Sequence, residues 1–438
     1  MNTRSRTRSG GPLPLRVLFL AESFHPVLGG GEQHVRSLAA GLAGAGMPPT
    51  VVTRRSDRTW AAEETLDGIR VLRVPPPGPG RPGKYLMVPG ALGALVRERA
   101  SFDVLVVRGT RVLGLPGLLA GRALGKGVVL QPELNGEMTG EIYTWGTALA
   151  SGPVAAAVRW GTALRNVWLR DADAFVAMSE RIREEFLAAG VPPERIAHIP
   201  HGVDTERFRP ATPAEREALR GRLGLAADAI VVAWTGRMLR GKGLETLLAA
   251  FTRLVGGEPR ARLLLVGSGA GQALSIEDEL KERVRAAGLG ARVTFTGRVD
   301  GVEDWLRASD VFAFPSVFEA LGISLVEAAA CGLPCLGSRT GGIVDVIEDG
   351  RTGRLVTPGD AEALGAALEE LAADPAGRAS MGQAARRLVL RRFDVRDSLE
   401  RYRGLFREVR TRSRGGAWRP ARAPRAGAAP PPSPAPRA

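Results

Sequence analysis

At 438 residues the chain is long enough for two or three domains, each burying its own core, and 44% apolar with 24% charged residues is a globular balance rather than a disordered or membrane-embedded one. The net charge of +14 is concentrated at the ends: Arg4, Arg6 and Arg8 open the chain, and Arg412, Arg414, Arg419, Arg422, Arg425 and Arg437 lie in an acid-free tail, leaving +5 for the rest. The body is therefore only mildly basic, which argues against a nucleic-acid binder. Residues 1–13 and 412–438 are expected to be solvated tails, with weak attraction to anionic lipid as the alternative.

The first half reads as an α/β unit. "LRVLFLAESFHPVLGGGEQHVRSLAAGLAGAG" gives an apolar strand, a glycine-rich turn and a helix with Val35, Leu38, Ala39 and Leu42 on one face. The opening has no 7–15-residue apolar core of the secretory kind, and no apolar run approaches the ~20 residues of a membrane span. A cytoplasmic chain is expected. Runs at "TVVTR", "DVLVVRG", "GVVLQ" and "AFVAMS" alternate with helical stretches, the signature of a doubly wound parallel sheet. Asp171 and Asp173, in "DADAF", read as helix-end chemistry rather than a metal pair. The pattern pauses at "IPHGVDTERFRPATPAERE", where prolines and charges replace periodic apolar residues, and restarts at "AIVVAWTGRMLRGKGLETLLAAFTRL". It continues through "ARLLLVGSG", "VTFTGRV", "VFAFPS", "PCLGSR" and "GRLVTPG". Twin Rossmann-like domains over 14–205 and 206–392, facing across a cleft, are expected, with a helix over 393–411 returning to the first. Cys331 and Cys335, four apart with no second pair, read as core packing in a reducing compartment.

Three stretches of the second half carry candidate chemistry. In "TGRMLRGKGLETLL", Arg237 and Lys242 follow a buried strand and precede a helix, bracketed by Gly236, Gly241 and Gly243 that let backbone approach a ligand closely. A planar fork and a mobile point charge beside a helix N-terminus suit a pyrophosphate. In "FPSVFEALGISLVEAAACGLP", Glu319 lies in the loop at the carboxyl edge of the sheet, where open α/β folds bind ligands. It is either a ligand contact or a solvated loop acid. Glu327 either binds ligand or closes an S-x-x-E capping box with Ser324. Gly267 and Gly269 alone are a weak dinucleotide signal, and the acid such a fingerprint requires about 20 residues on is missing, so NAD is disfavoured.

Taken in order, "FHPVLGGGEQHVRSLAAGLAGAG", "IPHGVDTERFRP", "TGRMLRGKGLETLLAAF", "LLLVGSGAG", "VTFTGRV" and "DVFAFPSVFEALGISLVEAAACGLPCLGSRTGGIVDVIEDGRTGRLV" resemble the retaining glycosyltransferases of family 4, which have the GT-B fold. The resemblance covers roughly residues 15 to 400. It implies that Arg237 and Lys242 hold the diphosphate of a nucleotide sugar and stabilise the departing charge. It further implies that Glu319 contacts hydroxyls of the transferred sugar and Glu327 those of the ribose. Gly236, Gly267, Gly269, Leu321, Gly322, Ile323 and Ser324 would line the donor site, and Gly29 and Gly30 would approach from the other domain. The donor is a substrate; no cofactor, metal or protein nucleophile is implied.

Two departures stand out. The first-domain histidine common in the family is absent from "VVLQPELNGEMTGE", where Glu133, Asn135 or Glu137 could supply the polar contact. The usual Asn-Gly-Val-Asp is here His201-Gly202-Val203-Asp204; His198 and His201 lack a third ligand and read as structural. Trp145, Trp160 and Trp168 with Arg159, Arg165 and Arg170 suit either a lipid interface or a helix covering the first sheet. A nucleotide-sugar epimerase on the same architecture is the competing enzyme, separable by product analysis without an acceptor. A basic nucleic-acid binder is the non-enzymatic alternative.

Overall fold

Along β1 (Val17–Leu20), Val17 and Phe19 turn to one side of a sheet and Leu18 and Leu20 to the other, and all four are buried, as in a strand covered on both faces. The computed structural model describes residues 15–27, 29–78, 80, 82–144, 151–272 and 274–414. In it β1 joins β2 (Thr50–Arg54), β3 (Glu63–Leu66), β4 (Ile69–Val74), β5 (Val104–Arg108), β6 (Gly127–Gln131), β7 (Ala174–Ala177) and β8 (Ile196–His198). The order is β3-β4-β2-β1-β5-β6-β7-β8, parallel throughout except for the antiparallel edge strand β3. Helices Gly30–Gly44 and Val395–Arg414 cover one face with Val35, Leu38, Tyr402, Phe406 and Val409. Helices Gly83–Arg97, Gly114–Ala123 and Gly152–Leu169 cover the other with Met87, Leu95, Leu118 and Leu169.

The second sheet contains β9 (Ile230–Thr235), β10 (Ala261–Val266), β11 (Val293–Gly297), β12 (Val311–Phe314), β13 (Cys335–Ser338) and β14 (Gly353–Val356), all parallel in the order β11-β10-β9-β12-β13-β14. Every residue of β9 is buried, including Trp234, so the uninterrupted apolar run is that of a central strand. Cys331 and Cys335 are buried free thiols, and burial raises both well above the usual thiol range.

The chain passes between the sheets at two adjacent segments that hydrogen-bond to each other. The Val203 amide donates to the Phe393 carbonyl at 2.8 Å, and the Val395 amide to the Val203 carbonyl at 3.0 Å. Asp394 accepts from Thr205 Oγ1 at 2.7 Å and pairs with Arg396. The last helix then continues to Arg414, so Arg412 and Arg414 lie on its final turns and not in the tail, Arg412 pairing with Glu408. The other tail arginines and Trp145 lie outside the described residues. Among the described residues no helix is long and apolar enough to cross a membrane.

Candidate functional site

The carboxyl edges of the two sheets face each other. After β9 the chain turns through Gly236 to Gly243 before entering the helix Leu244–Gly257, whose N-cap is Gly243 at φ 71°. A Cβ there would sit 1.8 Å from the Pro315 carbonyl oxygen, so this turn locks onto the end of β12 only because the side chain is absent. Gly243→Ala is expected to cost about 2 kcal/mol or more, from left-handed strain and the clash together. Gly256→Ala, in the same helix with nothing within 4 Å, is expected to be neutral or to stabilise by up to ~1 kcal/mol. Urea unfolding of the two variants checks both.

Lys242, at the end of that turn, donates from Nζ to Glu319 Oε2 at 2.7 Å and lies 6.0 Å over the Phe314 ring. Both side chains are mostly buried, so Glu319 is a held carboxylate and the reading as a solvated loop acid fails. An ammonium has three hydrogens, and this pair uses one of them. The Arg237 guanidinium forms no hydrogen bond or ion pair with any described residue. It is an unspent cation at the mouth of the same turn.

The loop after β12 ends in the helix Ile323–Ala330, capped by Gly322 at φ 89° with no side-chain cap bond. The S-x-x-E capping box is therefore not formed: Gly322 caps the helix two residues before Ser324, placing Ser324 inside the first turn. The amides of Leu321, Gly322, Ile323 and Ser324 have no acceptor among the described residues and form the positive end of the helix. Glu327, one turn further on, is partly open to solvent yet closely surrounded by protein. Burial pushes its carboxyl up to about 8, against the pull of Arg207, which is itself paired with Glu303 at 2.8 Å.

The first sheet supplies the opposing wall. A Cβ on Gly29 would lie 3.3 Å from Arg237 Cζ, and one on Gly30 would lie 3.4 Å from Ile323 Cδ1. The glycine turn before the helix Gly30–Gly44 thus touches both the cation turn and the free helix end. Asn135 Nδ2 donates across to the Glu319 carbonyl at 2.7 Å, and the Glu180 amide donates to Asp345 at 2.7 Å. Arg237, Lys242, Glu319, Leu321, Gly322, Ile323, Ser324, Gly29 and Gly30 are therefore brought together, with Glu327 on the adjoining turn.

Gly267 and Gly269 are placed differently. Their amides donate to the Gly297 carbonyl and to Glu277, and Cβ atoms on them would fall 1.9 Å from the Gly236 carbonyl oxygen and 2.4 Å from that of Met238. They hold the cation turn from beneath.

Of the three polar residues after β6, Glu137 is occupied: it accepts from the Thr110, Glu133 and Leu134 amides and from Thr110 Oγ1 at 2.6–3.1 Å. Asn135 is spent on the interdomain bond. Glu133 has no side-chain hydrogen bond among the described residues, and burial raises its carboxyl to about 7 against the attraction of Arg108. A lone acid between an apolar strand and a polar loop gives no sequence signal that separates these three.

Two further glycines, Gly341 and Gly342, went unremarked in the sequence. Cβ atoms on them would fall 1.9 Å from the Glu319 and 2.3 Å from the Ala320 carbonyl oxygens, so they brace the acidic loop after β12. Their signal was the Gly-Gly pair after β13. His201 is buried and stacks on His34 with centroids 3.6 Å apart, both imidazoles held well below their usual range by burial. Gln131 Nε2 lies 3.3 Å from His201 Nε2 and donates to Tyr402 Oη at 3.0 Å, tying the last helix to the interdomain segment. Asp173 accepts from Arg122 and the Val128 amide, a structural use.

Two family models match the chain: Glycosyltransferase Family 4 over residues 28–207, and Glycosyl transferases group 1 over residues 229–374. A GDP-mannose-dependent monoacylated alpha-(1-6)-phosphatidylinositol monomannoside mannosyltransferase of Corynebacterium glutamicum is 28% identical over 85% of this chain and 92% of that protein. A D-inositol 3-phosphate glycosyltransferase of Streptomyces avermitilis is 37% identical, over 44% of this chain and 42% of that protein. Among solved structures, sucrose-phosphate synthase from Thermosynechococcus elongatus superposes with a TM-score of 0.76 at 25% identity, covering 91% of this chain and all of that one. Neither family description names an epimerase. The two matches divide at the segment that joins the sheets, the first taking in every strand of the first sheet but β1 and the second all of the second sheet, and the chain belongs to the family 4 glycosyltransferases with the GT-B fold.

Proposed function

We propose that the chain transfers a sugar from a nucleoside-diphosphate sugar to an acceptor hydroxyl with retention at the anomeric carbon, and that GDP-mannose is the donor. The observation that carries this reading is the contact of Gly29 and Gly30 with Arg237 and Ile323, beside the Lys242–Glu319 pair and the unpaired amides of 321–324. One free guanidinium, one ammonium with hydrogens to spare and a helix N-terminus converge at one edge of the second sheet, a donor set that suits a diphosphate. The bond from the anomeric carbon to the diphosphate oxygen lengthens as negative charge grows on that oxygen, which is where these donors are fixed. Glu319, tethered to Lys242, accepts hydrogen bonds from sugar hydroxyls and does not attack. Glu327 accepts from the ribose, and Glu133 is the first-domain group left to meet the sugar or acceptor.

The GDP-mannose assignment rests on the Corynebacterium relative, matched along nearly its whole length. Thermal melting in excess GDP, UDP and ADP tests it, since a ligand bound to the native state raises Tm. GDP is expected to give the largest rise. A larger response to UDP or ADP would remove GDP-mannose while leaving the transferase intact, and NMR of the product's anomeric centre tests retention separately.

A further inference from the structure

Three helices of the first domain, Gly83–Arg97, Gly114–Ala123 and Gly152–Leu169, lie side by side over one face of the sheet and present an outer surface that is built the wrong way round for water. Of the twelve exposed large apolar side chains among the described residues, nine lie on these helices or on the short turn Glu141–Thr144 that packs against them. Trp160 is 66% exposed, Leu86 59% and Tyr85 58%, with Leu119, Val154 and Trp168 on the same layer.

The helix Gly152–Leu169 shows the inversion most directly. It buries Ala155, Thr162, Asn166 and Leu169 against the domain while Val154, Trp160, Leu164 and Trp168 face outward. A solvated helix does the reverse. The three helices contain no Asp or Glu, although the chain has 46, and their cations include the exposed Arg97 and Arg159.

We infer that this layer is a docking surface for an anionic lipid bilayer, with the aromatic and aliphatic side chains entering the headgroup boundary and the arginines meeting lipid phosphates. A second copy of the chain fits less well. A two-fold contact would place one predominantly cationic face against another, with Glu141 of the short turn already paired with Arg181. The inference does not depend on the donor or acceptor assignments, because the surface is formed outside the cleft residues.

The test is sedimentation of the full chain with vesicles of phosphatidylcholine alone and with about 30% phosphatidylglycerol, for the wild type and for Trp160→Ser/Leu164→Ser/Trp168→Ser. Binding to the anionic vesicles is expected to exceed that to neutral ones by about tenfold, and the triple variant is expected to lose about tenfold. Its Tm and its response to GDP should stay as in wild type. Should the triple variant melt early, Trp160→Ser alone serves, with a loss of about threefold expected. Unchanged vesicle binding in the variants would place the attraction in the arginine-rich termini and overturn the inference. So would a lipid-free dimer, seen by sedimentation equilibrium, that the same substitutions dissociate.

Discussion

Lys242→Ala is expected to lower kcat by about 10²–10³-fold with a smaller change in KM for the donor, because the ammonium meets charge that develops mainly as the diphosphate leaves. The structure adds a second consequence. Lys242 is the partner of Glu319 at 2.7 Å, so its removal leaves a mostly buried carboxylate unpaired where a negatively charged donor must enter. Lys242→Ala should therefore be more damaging than the loss of one phosphate contact, and Lys242→Ala/Glu319→Gln should recover part of the donor affinity but not kcat. Steady-state kinetics of the two variants, with circular dichroism to establish that the fold persists, separates these effects. Equal kcat in Lys242→Ala and wild type would remove the lysine from leaving-group stabilisation. Arg237→Ala should follow the same pattern without the affinity rescue, since Arg237 has no acidic partner among the described residues.

The second large effect is in pH. The Glu327 carboxyl is raised to about 8 by burial, so at neutral pH it is mainly protonated in the free protein. Ribose hydroxyls that donate to it favour the ionised form, so donor binding lowers its pKa and expels a proton. The sign follows: affinity for the nucleotide sugar should rise with pH, by about tenfold between pH 6.5 and 8.5, and level off above 8.5. For folding the direction is opposite. A carboxyl raised in the native state contributes stability at low pH that is lost as pH rises through about 8. Calorimetric titration of the nucleotide sugar in buffers of different ionisation enthalpy measures the released proton, and Glu327→Gln should abolish both the release and the slope. A flat profile in wild type would take Glu327 out of the ribose site.

Much of the fold was legible because buried parallel strands leave unbroken apolar runs. "AIVVAWT" and "DVFAFPS" map onto β9 and β12, whose ends carry the cation turn and the acidic loop. What brings those loops together was not legible, since Lys242 and Glu319 are 77 residues apart and Asn135 and Glu319 are 184 apart. Pairing at such separation is decided by sheet order, which a strand's own residues do not encode. The capping motif at Ser324 failed for a local reason: Gly322, at positive φ, had already started the helix, and a motif read from spacing alone cannot see that. The helix Gly152–Leu169 was ambiguous for another reason. Its buried face carries Thr162 and Asn166 while its outer face is apolar, so periodicity identified the tryptophan stripe but not that it faces outward.

The central claim is that a departing diphosphate is held between the cation turn and the free helix end of the second domain, under the glycine turn of the first. A crystal structure of the chain with a nucleoside diphosphate tests it most directly. The account predicts phosphate oxygens within hydrogen-bond distance of Arg237, Lys242 and at least one amide from 321–324, with the ribose on Glu327. A nucleotide bound elsewhere, with Arg237 and Lys242 both free of phosphate, would contradict it.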